Sequence, residues 1–179
     1  MCRRRFNRVL LWPIQQGLKD SHTHRTELTG SRHRRLAELT QTRIAAGEWL
    51  ATRFEFLDLM DRGGVDVVQP DVGRVGGLTG AMRVCEIARE RKRLVVPHGW
   101  KTGVTVAATA HLAAVTPHMP LFEFLPQDFA ESRLRRELVL DELVLEDGRL
   151  PLPQRPGLGV ELNLEALEEF EQAGKAVLA

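Results

Sequence analysis

Cysteine is scarce in this chain. Cys2 and Cys85 are its only two in 179 residues, too few and too far apart for a disulfide framework or a thiolate zinc site. Cys85 sits in a helix-like run, LTGAMRVCEIARERK, as a small apolar residue. Long apolar runs are lacking as well, so no stretch is fitted to span a membrane. The segment VLLWPI (9–14) is short, contains Pro13 and has no small-residue cleavage pattern. A secretory signal is therefore not supported, and the cytoplasm is the default expectation. Gly73, Gly76 and Gly77 do not make the G-x-G-x-x-G spacing, which removes a nucleotide fingerprint and leaves them as turn residues.

A strong net charge is also missing, the balance being only +1. Its distribution is uneven. Residues 1–35 hold nine Arg and Lys against Asp20 and Glu27. A basic start of this kind suits a nucleic-acid arm, a transit peptide, or a stretch that is disordered or foreign to the rest. No aromatic stacking set or recognition helix accompanies it, so no nucleic-acid partner is expected. His22 and His24, two apart in HTH, would need further ligands to hold a metal. The division expected is a basic segment at 1–32 and one domain at 33–179.

What is present is alternation. HRRLAEL (33–39) reads as the end of an amphipathic helix, and TRIAAGE (42–48) as a short strand. LATRFEFLDLMDRGG (50–64) places Phe54, Leu57 and Met60 or Asp61 at helical spacing and stops at a glycine pair. VDVVQPD (65–71) is a strand, 78–92 a helix, RLVVPH (93–98) a strand and VTVAATAHLAAVT (104–116) a small-residue helix. PLFEFLP (120–126) reads as a fourth strand. Strand ends recur at steps of 23 to 27 residues, the size of one βα unit. The expected class is α/β, a parallel sheet with helices outside, and four units amount to half of a (β/α)8 barrel. After 126, short β-like pieces alternate with Pro and Gly turns before a closing helix, LEALEEFEQAG. This tail is expected to pack back across the fold.

Each strand end carries a polar residue: Glu48, Asp71, His98 and Glu123. In a parallel βα architecture all carboxyl ends of strands open on one rim, where active sites sit. An Asp beside a His orients the imidazole and makes it a general base or acid near neutral pH. A lone carboxylate at a neighbouring strand end is a hard oxygen ligand suited to Mg²⁺. A carboxyl kept protonated can donate a hydrogen bond to an oxygen gaining negative charge. Arg74 and Lys101, just past two of these strand ends, read equally as substrate contacts or as loop charges.

The runs IAAGE, VDVVQPDVGRVGGLT, VVPHGWKTG and LFEFLP, in this joint spacing, resemble the carboxyl-terminal half of the barrel in the mandelate racemase/muconate lactonizing enzyme family of the enolase superfamily. The Asp–His pairing is most similar to the mandelate racemase and acid-sugar dehydratase branches. The resemblance implies that Glu48 is the third carboxylate ligand of a catalytic Mg²⁺. It makes Asp71 and His98 the dyad that moves a proton at the substrate's α-carbon. Glu123 then hydrogen-bonds the substrate carboxylate as it becomes an enediolate. A dehydratase would go on to lose a β-hydroxyl; a racemase would reprotonate the α-carbon from the opposite face. The implied partner is a small carboxylate such as an acid sugar, with a homo-oligomer left open.

The family pattern also includes a capping domain, four earlier barrel strands and two further Mg²⁺ carboxylates, which these residues do not match. The expectation is a truncated relative, inactive as an isolated chain, with open sheet edges and an apolar inner face turned to water. The alternative is a non-catalytic remnant whose sheet edge pairs with another polypeptide.

Overall fold

A computed structural model describes residues 31–126 and 132–178. The expectations placed on residues 1–30, including the His22–His24 pair, lie outside the described residues. Helix α1 (Ser31–Leu39) leads into strand β1 (Ala45–Ala46), then α2 (Arg53–Asp61), β2 (Val67–Val68), α3 (Gly77–Glu90), β3 (Leu94–Val95) and α4 (Gly103–Val115). The tail adds α5 (Arg133–Glu137) and α6 (Leu164–Leu178).

Local chemistry sets the helix starts. Thr52 caps α2 by accepting from the Glu55 amide, while the Glu55 carboxylate accepts from the Thr52 amide at 2.9 Å. Such a reciprocal cap contributes about 1 kcal/mol. Thr102 caps α4 in the same way through the Thr105 amide. Helix α3 differs, because it starts after left-handed Gly76 without a side-chain cap.

The three strands are parallel and ordered β1-β2-β3, with Ala45 opposite Val67, Val67 opposite Leu94, and Val68 opposite Val95. Alternation then sorts the side chains. Val68 and Val95 point to the helix side and join Ile44, Phe56, Leu59, Val84, Ile87 and Leu112 in the main core. Each fully buried Val, Leu or Phe there contributes about 1.5–3 kcal/mol. Val67, Gln69, Asp71, Val96 and His98 fall on the opposite face and are also buried. The apolar inner face expected to be open to water is therefore covered at β2 and β3.

Two readings of the sequence need correction. In α2 the buried stripe is Phe56, Leu59 and Met60, while Phe54 is 64% exposed. Phe56 sets this frame by packing against Gly47, where a Cβ would come within 2.6 Å of its ring. The run 120–126 is not a laddered strand. It touches its neighbour through Glu123 N–H to the Pro97 carbonyl at 3.0 Å, but neither Pro97 nor Pro120 has an N–H to continue the ladder.

The tail does fold back. Val139 bridges Leu162 in antiparallel fashion and packs on Gly103, where any Cβ would collide with it. Buried Arg135, on the short helix α5 that the β-like pattern did not anticipate, pairs with Glu142 and donates to the Leu125 carbonyl at 2.7 Å.

Candidate active site

Asp71 and His98 stand at equivalent positions past the ends of two consecutive strands, β2 and β3, that are adjacent in the sheet. They form a parallel bridge, extending the β2–β3 ladder past the two prolines, and His98 N–H donates to the Pro70 carbonyl at 3.2 Å. Their side chains meet, His98 Nδ1 lying 2.9 Å from Asp71 Oδ2. Asp71 is fully buried and His98 is 8% exposed.

The second carboxylate oxygen, Oδ1, accepts from the Gly73 amide at 2.7 Å. Oδ2 also faces two cations, Lys101 Nζ at 3.4 Å and Arg74 Nε at 3.8 Å. Burial pushes the Asp71 carboxyl up, but the His98 hydrogen bond, the Lys101 charge and the Gly73 amide outweigh it and hold it below its ordinary range. An ionised Asp71 only accepts, so Nδ1 carries the hydrogen and the imidazole's other nitrogen, Nε2, is left to do chemistry.

Glu123 behaves in the opposite sense. Burial raises its pKa, His98 pulls it back, and the charge of Glu48 raises it again. The Gln69 amide and Trp100 indole favour the charged form, yet the net shift is upward. Gln69 Nε2 donates to Oε1 at 2.6 Å, while Oε2 is buried without a hydrogen bond. A proton on Oε2 would turn that oxygen into a donor.

Glu48 follows Gly47, whose φ is +123, and its charge reaches Glu123. All four predicted residues thus belong to one rim: Asp71 and His98 in contact, with the charges of His98 and Glu48 acting on Glu123. The sequence reading missed Gln69, although its position two before Asp71 puts it on the same strand face. It also passed over Trp100, whose ring centroid lies 5.3 Å from that of His98, and Trp49, which stacks under Arg74 at 3.7 Å.

Whether Mg²⁺ fits can be judged from the donors. Among the described residues no three His, Cys, Asp or Glu side chains gather as a metal cage. Glu48 supplies one oxygen donor, and Mg²⁺ demands near-octahedral coordination. These residues alone do not make an Mg²⁺ site.

Residues 27–167 match the family profile described as Enolase C-terminal domain-like. The chain belongs to this family. Among enolase-superfamily relatives, it is 32% identical over 162 residues to the D-gluconate dehydratase of Thermoproteus tenax, covering 88% of this chain and 31% of that one. It is 33% identical to the D-galactarolactone cycloisomerase of Agrobacterium fabrum (strain C58 / ATCC 33970), over 71% of this chain and 35% of that one. In structure it is similar to the 3,6-anhydro-D-galactonate cycloisomerase from Zobellia galactanivorans, with a TM-score of 0.69 and 34% identity over 76% of this chain and 38% of that one. The mandelate racemase/muconate lactonizing enzyme from Jannaschia sp. CCS1 gives a TM-score of 0.68 at 28% identity, over 76% and 34% of the two chains. The enolase-like chain spans about a third of the length of the curated relatives it matches. Among its described residues no helix is long and apolar enough to cross a membrane.

Proposed function

We propose that this rim takes the α-proton from a carboxylate substrate, with an acid sugar as the substrate class and dehydration as the reaction. The observation that carries the reading is the 2.9 Å contact between His98 Nδ1 and buried Asp71. Asp71 fixes the tautomer, and His98 Nε2 receives the α-proton. The C–H electron pair moves into the carboxylate, giving an enediolate. Glu123, in its protonated form, donates a hydrogen bond to an oxygen of that enediolate. The imidazolium then returns its proton to the β-hydroxyl, which leaves as water, and the resulting enol becomes a 2-keto acid. Names of relatives such as D-gluconate dehydratase and L-rhamnonate dehydratase favour loss of water over the mandelate-racemase-like alternative.

Glu48 is read as one ligand of Mg²⁺, which when bound would stabilise negative charge on the substrate carboxylate. With one such ligand among the described residues, the 179-residue chain by itself is read as binding acid sugars without turning them over. Saturation-transfer NMR of the chain with Mg²⁺ and D-gluconate, D-galactonate and L-rhamnonate tests both parts. Transfer to the C2 proton, weakened in Glu123→Leu and without formation of a 2-keto-3-deoxy acid, is expected. Absence of transfer from every acid overturns the substrate class, and product formation overturns the inactivity.

A further inference from the structure

Glu123 sits on a run that the sheet hardly holds. Its amide donates to the Pro97 carbonyl at 3.0 Å, and its own carbonyl lies so close to Gly99 that an added Cβ there would approach it to 3.0 Å. Among the described residues no ladder bond follows. The next contact comes two residues on, where Arg135 Nη2 donates to the Leu125 carbonyl at 2.7 Å. The same guanidinium carbon stands 5.9 Å from the Phe124 ring centroid. Two residues span at most ~7 Å, so little slack separates Leu125 from Glu123.

Arg135 is itself fixed from several sides. Its side chain is 1% exposed, its Nη1 pairs with Glu142, and its amide donates to the Ser132 carbonyl at 3.1 Å. Further on, Leu140 N–H donates to the Glu161 carbonyl at 3.0 Å and Asn163 N–H to the Leu138 carbonyl at 2.9 Å, making a short antiparallel pair about Val139. Val139 is seated on Gly103, the first residue of α4, five residues past His98. The tail thus runs as a strut from the Glu123 segment to the βα unit that carries the dyad's imidazole. A buried ion pair contributes little net stability, because desolvation offsets the attraction. What an apolar pair of the same volume would not supply is the bond to Leu125.

We infer that Arg135 is a positioning residue for Glu123, keeping its carboxyl in register with Gln69 and His98 through the Leu125 carbonyl. The consequence for chemistry rests on the enediolate role given to Glu123 above. The register itself does not.

The test exploits the difference between stability and register in the full chain. Arg135→Met/Glu142→Leu removes both charges together and should melt close to wild type, while the Leu125 carbonyl loses its donor. Arg135→Lys keeps a charge for Glu142 but not the fork that reaches two acceptors at once. The spectroscopic readout is solvent exchange of the Gln69 side-chain amide, assigned by its absence from Gln69→Met. Exchange should be protected in wild type and about five-fold faster in the double variant, the value of one ordinary hydrogen bond. Arg135→Lys should fall between, and the His98 Nδ1 resonance should not move in either. Saturation transfer to the C2 proton of D-gluconate should weaken in step with the exchange. Unchanged Gln69 exchange in the folded double variant overturns the inference and leaves the acid-sugar reading standing. If circular dichroism shows that the double variant does not fold, unchanged exchange in Arg135→Lys overturns it instead. A Gln69 amide already unprotected in wild type does so as well. Faster exchange with D-gluconate transfer unaffected, or absent from wild type too, keeps the positioning role and removes the one given to Glu123 in the reaction.

Discussion

Gln69 donates its side-chain amide to Glu123 Oε1 across 2.6 Å, joining β2 to a run that has no sheet ladder of its own. This bond leaves Oε2 as the place for a proton, and the raised pKa of Glu123 makes that proton part of the fold's stability.

The sign of the pH effect follows from linkage. An acid whose folded pKa exceeds its unfolded value holds its proton more tightly when folded. Its stabilising contribution is present at acid pH and is lost as pH rises through the folded value. Glu123→Gln keeps a neutral acceptor for Gln69 and removes the titration. The variant should therefore gain in Tm relative to wild type at pH 7 and show no gain near pH 4. Thermal melts at both values check this.

Asp71 carries the opposite dependence. Its folded pKa is lowered, so its contribution is present above the unfolded value and disappears as pH falls through the folded one. Asp71→Asn leaves Lys101 and Arg74 facing an uncharged amide and frees the His98 tautomer. A loss of about 2–4 kcal/mol at pH 7 is expected, discounted because both cations are partly exposed. In urea melts the gap from wild type should close toward pH 2.

Two glycines separate backbone strain from crowding. Gly64 has φ +65, and an added Cβ would meet only Ala37 and Arg34 atoms at 4.0 Å. Gly64→Ala should cost about 1–2 kcal/mol, the price of the left-handed conformation. Gly47 has φ +123 and the Phe56 ring in the way. Gly47→Ala should cost roughly 3–4 kcal/mol. Equal costs from chemical denaturation would remove the role given to Phe56.

The Arg135–Glu142 pair is almost entirely buried, with Arg135 Nε and Glu142 Oε2 both lacking partners. Arg135→Met alone should cost about 3–5 kcal/mol, because Glu142 is left charged in a dry setting. Adding Glu142→Leu should recover most of that. A double-mutant cycle with no coupling would show that the contact contributes nothing specific.

The alternation of strands with helices and the recurring βα step make the sheet direction and the shared rim readable in the sequence. Asp71 and His98 meet because each lies one residue past a proline and three past a paired valine, Val68 or Val95, a register the sequence displays openly. The failures came where long-range contacts decide. Nothing local distinguishes Phe54 from Phe56; only Gly47, nine residues earlier, makes a seat for the latter. PLFEFLP looks like a strand, but whether it ladders depends on Pro97 opposite it. Gln69 was overlooked because an amide within an apolar run signals little until its partner, 54 residues on, comes alongside.

The missing ladder at Pro97 means that the two halves of the rim are fastened by different means. The imidazole and its aspartate ride on hydrogen-bonded strands. Glu123 is carried by a loop whose anchors include Gln69 and, through Leu125, an arginine in the tail. Wear on the tail, by a protease or by gentle warming, should set the acid adrift while the proton-moving pair is still in register.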